Sequence, residues 1–234
     1  MKIGLIGAGR LGICLALLIE RAGYDVLASD VRESYVSGLK NKEIITTEPE
    51  IQSLLSASTR IDFTTDNDRV IQECDIIFTL VATPSLDDGS YDVSNVDDVV
   101  SDFQRLGWKD KDSLNGKSLV VGCTTNPGDC DIFAEKLSEV GVDVFYNPEF
   151  IAQGSIIRDL RNADMVLLGG YGHHVPELEK IYYGIQEPKK PYIHSMSTRA
   201  AELTKIAVNC FLTTKISYAN QVGQVMIKDG MESE

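Results

Sequence analysis

The sequence predicts an α/β fold, with a doubly wound, mostly parallel β-sheet followed by a long connecting helix. Short apolar or β-branched runs alternate with stretches of helical periodicity along most of the chain. Strands that alternate with helices form βαβ units, in which the strands run parallel. Near the end, residues 198–227 contain no proline and a single glycine. This stretch predicts a helix long enough to bridge to another domain or subunit.

The elements follow in order from the N-terminus. Lys2–Ile6 is a short apolar strand that ends in glycines, and Arg10–Arg21 carries leucines at helical spacing before Gly23 closes it. Asp25–Ser29 forms the next strand and leads into Asp30. Further strands are predicted at 60–63, 75–80, 118–121, 142–145, 165–168 and 192–194. Further helices are predicted at 95–105, 129–139 and 175–183, before the long one.

Charge and composition exclude several classes of protein. Hydrophobic residues make up 43% of the 234 residues and charged residues 24%, as in ordinary globular proteins. The formal net charge of −13, with no basic run, argues against a nucleic-acid partner. An anionic small molecule remains possible, because a few backbone amides and one or two cations hold a phosphate locally.

The five cysteines form no close pair or cluster with histidine, so we expect reduced thiols, no metal site and a cytoplasmic protein. No apolar run reaches the roughly 18 residues of a membrane span, and the first residues form a strand and glycine pattern, so we expect neither a membrane span nor a leader.

The first motif is a glycine turn between a strand and a helix. Gly7, Gly9 and Gly12 form a GxGxxG pattern, and Asp30 ends the following strand. The first glycine permits the tight turn, the second lets a pyrophosphate approach the backbone, and the third allows close packing of helix on strand. A carboxylate at Asp30 suits ribose hydroxyls and repels a 2′-phosphate. The motif therefore predicts a Rossmann-like domain that binds NAD in preference to NADP.

Three polar loops follow later strands, at the edge where ligands bind in such sheets. Thr83 lies in the first, Thr124 in the second, and Glu149 in the third, which reads YNPEFIAQG. Glu149 is a candidate general base. An ordinary turn, a helix cap and a surface carboxylate are the alternative interpretations of the three loops. Cys123 has no histidine near it in the sequence to activate its thiol, so we interpret it as a residue that lines a pocket.

The long helix carries the last candidate group. Glu202, Lys205 and Asn209 are spaced i, i+3 and i+7, so they share one face. A lysine and an asparagine one turn apart stabilise a developing oxyanion. The alternative is a solvated face with a Glu–Lys pair.

Together these segments resemble the UDP-glucose/GDP-mannose 6-dehydrogenase family, the NAD-dependent nucleotide-sugar dehydrogenases. The matching segments are IGAGRLG, LVATPSLDDGSYDVSNV, YNPEFIAQGSIIRDL and AELTKIAVNCFLTTKISYAN, in the family's order along the whole chain. The resemblance implies a four-electron oxidation of a sugar C6 alcohol to a carboxylate, with two NAD molecules and a covalent thioester. It also implies polysaccharide biosynthesis and a homodimer that pairs through the long helix.

The resemblance also implies roles for individual residues. Thr124 is expected to position a catalytic water, Glu149 to act as acid and base, and Lys205 with Asn209 to stabilise the C6 oxyanion and hold the sugar. The expected cofactor contacts are Gly7, Gly9, Leu11, Gly12, Asp30, Thr83, Thr124 and Gln153. The expected substrate-binding residues are Glu149, Phe150, Ile151, Ala152, Gln153, Lys205 and Asn209.

Three features depart from the family pattern. Gln153 stands where a glutamate is usual, so it can donate a hydrogen bond but cannot act as a base. Tyr35 stands where a lysine or arginine commonly follows the ribose acid, and Arg32 is a candidate substitute. Nothing in the sequence matches the Gly-rich segment with the family's nucleophilic cysteine. We therefore expect an NAD-binding domain at 1–196 and the start of a connecting helix at 197–234, inactive by themselves.

Two other functions remain open: a non-catalytic NAD-binding module, and another β-hydroxyacid-type dehydrogenase. The NPEF loop argues against the second. The nucleotide sugar itself, UDP-glucose or a relative, is not specified.

Overall fold

A computed structural model describes residues 1–110, 112–151, 154–186 and 190–231. Its described part contains one eight-stranded sheet, in the spatial order β3-β2-β1-β4-β5-β6-β7-β8. The strands are β1 Lys2–Ile6, β2 Asp25–Ser29, β3 Ile61–Thr64, β4 Ile76–Thr79, β5 Ser118–Val121, β6 Asp143–Tyr146, β7 Val166–Gly169 and β8 Ile193–Met196.

Strands β1 to β6 all run parallel to one another, whereas β7 pairs antiparallel with β6. Strand β8 then runs parallel to β7. Residues on both faces of the central strands are buried, as expected for a sheet covered by helices on both sides. The predicted doubly wound, mostly parallel fold is confirmed.

Nine helices lie in the described part of the chain. They are α1 Arg10–Arg21, α2 Glu33–Lys40, α3 Ile51–Ala57, α4 Asn67–Glu73, α5 Ser94–Lys109, α6 Asp129–Ser138, α7 Ile156–Arg161, α8 Val175–Ile185 and α9 Thr198–Lys228. The predicted helices correspond to α1, α5, α6, α8 and α9. Helices α2, α3, α4 and α7 were not predicted, because each has at most eight residues and too few apolar repeats to show a period.

Several strands begin one residue later than predicted. Strand β3 begins at Ile61 rather than at residue 60, and β7 begins at Val166 rather than at residue 165. The strand predicted at 75–80 is also shorter at both ends. These shifts are small compared with the uncertainty of any helix or strand boundary.

The long helix α9 packs on the sheet only at its beginning. Its buried residues are Ala201, Glu202 and Lys205, all in the first three turns. Gly169 makes room for it, because a Cβ there would lie 2.8 Å from the Cβ of Ala201. Beyond Lys205, large apolar side chains such as Phe211 and Ile216 are exposed. In the described residues, no helix has an apolar window long enough to cross a bilayer.

Candidate functional site

The glycine turn after β1 is shaped by close backbone contacts. The N–H groups of Gly7 and Ala8 both donate to the carbonyl of Ser29 at the end of β2. Gly7 has a φ of +95°, and a Cβ there would lie 2.7 Å from the carbonyl oxygen of Leu80. A Cβ on Gly12 would lie 2.1 Å from the carbonyl oxygen of Gly7. These two glycines are therefore required by the protein's own packing.

Gly9 differs from the other two glycines. It is the N-cap residue of α1, and a Cβ added there would meet no atom within 4 Å. The space that it faces belongs to a cavity of about 520 Å³, which Gly7, Gly9 and Asp30 line together. Free N–H groups and the positive end of the α1 dipole favour an anion at this point. The turn thus has the shape and electrostatics that a dinucleotide pyrophosphate needs.

Asp30 is largely buried at the end of β2, where its carboxylate is bound by a neighbouring arginine. Arg32 donates from Nε at 2.8 Å and from its terminal nitrogen at 2.9 Å, one bond to each carboxylate oxygen. Burial raises the pKa of Asp30, but the hydrogen bonds from Arg32 outweigh it, so the pKa lies below its ordinary value. The acid remains ionised and can still accept hydroxyl groups.

The loops after β4 and β5 are tied together by Asn126. Its side chain accepts from the N–H of Tyr91 at 2.8 Å and donates to the carbonyl of Tyr91 at 2.9 Å. Thr83 and Thr124 lie half-buried in these two loops. Thr83 comes four residues after β4 ends, further from the strand than its sequence position suggested. Burial raises the pKa of Cys123 to about 12, which agrees with a thiol that is not a nucleophile.

Glu202 fixes the start of α9 to the loop after β5. Its carboxylate is fully buried and accepts hydrogen bonds from the Thr125 hydroxyl at 2.9 Å, the Gly128 N–H at 2.6 Å and the Cys130 N–H at 2.9 Å. It thereby caps α6, whose N-cap glycine provides no side-chain hydrogen bond. The interpretation of this helix face as solvated is therefore wrong for Glu202.

Lys205 is also buried, with 6% of its surface exposed, one turn further along α9. Its Nζ donates to the backbone carbonyl of Glu149 and lies 4.8 Å from the centre of the Phe150 ring. Burial lowers the pKa of Lys205, and the nearby Glu149 carboxylate offsets part of this shift. The Glu149 carboxylate itself accepts from the N–H of Ile151 at 2.6 Å.

A second cavity, of about 600 Å³, opens beside this loop. Glu149, Phe150 and Ile151 line it, together with Val208 of α9. Asn147 forms its inner wall, donating to the carbonyl of Leu167 and accepting from the Tyr182 hydroxyl. Asn209, the residue after Val208, is half-buried. Ala152 and Gln153, two of the predicted loop residues, lie outside the described residues.

The site thus has two groups of residues. Gly7, Gly9 and Asp30 line one cavity, whereas Glu149, Phe150 and Ile151 line the other. Lys205 joins the second group through its hydrogen bond to the Glu149 carbonyl. Leu11 packs against the hydrophobic core, and Gly12, which has no Cβ, leaves room for the Gly7 carbonyl.

Comparison with protein-family models shows that residues 1–186 match the NAD binding domain of the UDP-glucose/GDP-mannose dehydrogenase family. The chain belongs to this family. NAD is therefore the cofactor of its Rossmann-like domain.

Individual relatives agree with this assignment. The UDP-glucose 6-dehydrogenase AglM of Haloferax volcanii is 30% identical over 246 aligned residues, which cover 100% of this chain and 56% of the relative. A UDP-glucose dehydrogenase structure from Pyrobaculum islandicum superimposes with a TM-score of 0.87 at 28% identity, covering 99% of this chain and 54% of that one. The chain spans about half the length of the curated relatives that it matches.

The fold is also shared with a GDP-mannose dehydrogenase from Pseudomonas aeruginosa. That structure superimposes with a TM-score of 0.88 at 22% identity, covering 99% of this chain and 54% of its own.

Sequence reasoning missed two structural roles in the site. Glu202 was singled out only for its spacing, although the glycine before α6 leaves N–H groups at the start of that helix in need of another partner. The second is Asn147, whose side chain joins β6 to β7 and α8. Its position after a strand gave no indication of these partners, which lie 20 and 35 residues further along the chain.

Proposed function

We propose that this chain is the cofactor-binding part of an NAD-dependent nucleotide-sugar 6-dehydrogenase, which oxidises a sugar C6 alcohol to the carboxylate. The observation that carries the proposal is the contact between Lys205 and the NPEF loop. A buried ammonium group bonds the carbonyl of Glu149 beside a cavity, at the edge of the sheet where the cofactor turn also lies.

In this proposal each side chain has a separate task. Bound NAD supplies the hydride acceptor. Lys205, with its positive charge in a poorly solvated site, and Asn209, one turn later, stabilise negative charge on the C6 oxygen. Glu149 exchanges a proton with the reacting groups, and the Thr124 hydroxyl orients a water. Phe150 and Ile151, followed by Ala152 and Gln153, hold the sugar.

The lowered pKa of Lys205 supports its place at a reacting centre, because shifted pKa values are frequent at functional sites. Burial disfavours the charged ammonium, so Lys205 gives up a proton more easily than an exposed lysine does. Glu149 lies close enough to offset part of that effect. A buried lysine that gives up its proton readily suits a reaction in which a hydroxyl loses its proton.

The substrate class and the assembly are also proposed. The names of the relatives support UDP-glucose or a related nucleotide sugar as the substrate. We also propose polysaccharide biosynthesis in the cytoplasm as the setting. The exposed apolar side chains of α9 support a homodimer through this helix. We divide the chain into a cofactor domain at 1–196 and a connecting helix at 197–234.

The test combines cofactor binding with turnover. NAD binding is measured by calorimetry on the 234-residue chain, and NADH formation from UDP-glucose, GDP-mannose and UDP-N-acetylhexosamines on the product of the complete reading frame. We expect saturable NAD binding and turnover of one of these sugars. The variant Lys205→Met should bind NAD normally and lose about 10²–10³-fold in kcat.

Lys109→Met is the matched control, because this lysine is exposed at the end of α5 and lines neither cavity. It should leave kcat unchanged. Absence of NAD binding would refute the cofactor role. NAD binding without turnover of any nucleotide sugar would favour the non-catalytic module.

A further inference from the structure

The ion pair between Asp30 and Arg32 changes the electrostatics of the ribose site. The two groups form parallel hydrogen bonds, and the Arg32 guanidinium lies 4.2 Å from the centre of the Tyr35 ring. Stacking and pairing fix the guanidinium beside the carboxylate. Asp30, which by itself would repel a 2′-phosphate, thus has its charge balanced by a neighbouring cation.

Arg32 also borders a second space. A cavity of about 250 Å³ is lined by Arg10, Arg32, Tyr35, Thr46 and Thr47, together with four isoleucines. Arg32 lines the cofactor cavity as well, so this side chain borders both cavities. Two guanidinium groups and three hydroxyl groups are donors suited to a phosphate. Arg10 is the first residue of α1, so the positive end of the helix dipole adds to the same potential.

We propose that this small cavity is an anion subsite for the 2′-phosphate of NADP, so that the chain accepts NADP beside NAD. The inference rests on the proposed cofactor role. In Rossmann-like sites an acid after the second strand binds the ribose hydroxyls of NAD, whereas a nearby arginine accommodates the phosphate of NADP. This chain has both groups, and the arginine donates two hydrogen bonds to the acid.

The arrangement makes a specific prediction about each residue. Asp30 still favours a free hydroxyl, so NAD remains the tighter ligand. Arg32 reduces the electrostatic penalty for a phosphate by pairing with Asp30, and it uses only two of its five N–H groups in that pair. Arg10 contributes to phosphate binding without touching the carboxylate–hydroxyl contact. Loss of either arginine should therefore weaken the binding of NADP more than the binding of NAD.

The experiment is calorimetry of NAD and NADP on the 234-residue chain at one ionic strength. We expect NADP to bind within about tenfold of NAD. Arg10→Gln and Arg32→Gln should each weaken NADP by about tenfold or more, with NAD changed by less than about threefold. Asp30→Asn should shift the preference toward NADP. Adenosine 2′,5′-bisphosphate should bind more tightly than 5′-AMP, and inorganic phosphate should compete with it.

Arg60→Gln is the matched control. Arg60 pairs with Asp25 at the opposite end of β2, so its loss should change neither affinity. NAD binding with NADP weaker by about 10³-fold, or equal losses for the two ligands in the arginine variants, would overturn the subsite alone. If neither dinucleotide binds, the cofactor role fails as well.

Discussion

At the cofactor end of the site the binding surface is backbone, whereas at the α9 end it is made by buried charged side chains. Gly7, Gly9 and Gly12 matter because they have no Cβ, which leaves space for backbone atoms at Gly7 and Gly12 and keeps the cavity open at Gly9. Glu202 and Lys205 act through hydrogen bonds to main-chain groups of two separate loops. A Cβ added at Gly7 or Gly12 would clash with backbone atoms, and one at Gly9 would enter the cofactor cavity, whereas removal of a buried charge leaves its hydrogen-bond partners unsatisfied. The two ends should therefore respond to opposite kinds of substitution.

The largest effect is expected at Glu202. Glu202→Ala removes the acceptor of three buried donors, and each unsatisfied donor costs about 1–3 kcal/mol. We expect the free energy of unfolding to fall by about 3 kcal/mol or more, measured by urea denaturation. Hydrogen exchange should become faster at the start of α6 and at the start of α9, and it should change less in the strands of the sheet.

Glu139→Gln is the control for this substitution. Glu139 is exposed at the other end of α6, so stability should change by less than about 0.5 kcal/mol. An equally small effect of Glu202→Ala would show that the carboxylate does not fix the two elements together.

Adding a methyl group separates the roles of two glycines. Gly12→Ala places a Cβ against the Gly7 carbonyl, so we expect a loss of about 2–3 kcal/mol in stability together with loss of NAD binding. Gly9→Ala meets open space in the free protein. It should leave the melting temperature unchanged and weaken NAD binding, as measured by calorimetry. Equal destabilisation by both substitutions would contradict this distinction.

A smaller effect on stability is expected at Lys205. Replacing a buried ammonium with an apolar chain removes a desolvation cost along with a hydrogen bond, so Lys205→Met should alter stability at neutral pH by no more than about 1 kcal/mol. Because the folded pKa lies below 10.5, the unfolded chain binds more protons between the folded pKa and 10.5. The stability of the wild type should therefore rise with pH across that window relative to the variant.

Denaturation curves at several alkaline pH values measure this difference. Lys215→Met, on the exposed part of α9, should keep the wild-type pH dependence. If the free energies of unfolding of the wild type and of Lys205→Met changed in parallel with pH throughout the window, burial would not be lowering the pKa of Lys205.

The smallest expected effect concerns the reactivity of two cysteine thiols. A pKa of about 12 leaves roughly one Cys123 thiol in 10⁴ ionised at pH 8, so iodoacetamide should modify it far more slowly than the exposed Cys210. Peptide mass spectrometry over time gives both rates, and Cys210→Ser should remove the fast reaction. Rapid labelling of Cys123 would restore it as a candidate nucleophile.

The same contrast explains what could be predicted from the sequence. The glycine turn, Asp30 and the alternation of strands and helices are local patterns, so they predicted the fold and the cofactor end. The partners of Glu202 lie 72 to 77 residues earlier in the chain, and Lys205 contacts a carbonyl 56 residues away. Such contacts follow from the packing of α9 on the sheet, and spacing alone left a solvated helix face as an alternative. The short helices α2, α3, α4 and α7 depend on the same tertiary packing.

The central claim is that the turn after β1 and the end of β2 together bind NAD. Hydrogen exchange of the 234-residue chain, free and saturated with NAD, tests it directly. We expect slower exchange at the N–H groups of residues 9–12 and next to Asp30, with little change along the exposed part of α9. Saturation by NAD without added protection at the glycine turn, or protection confined to α9, would contradict it.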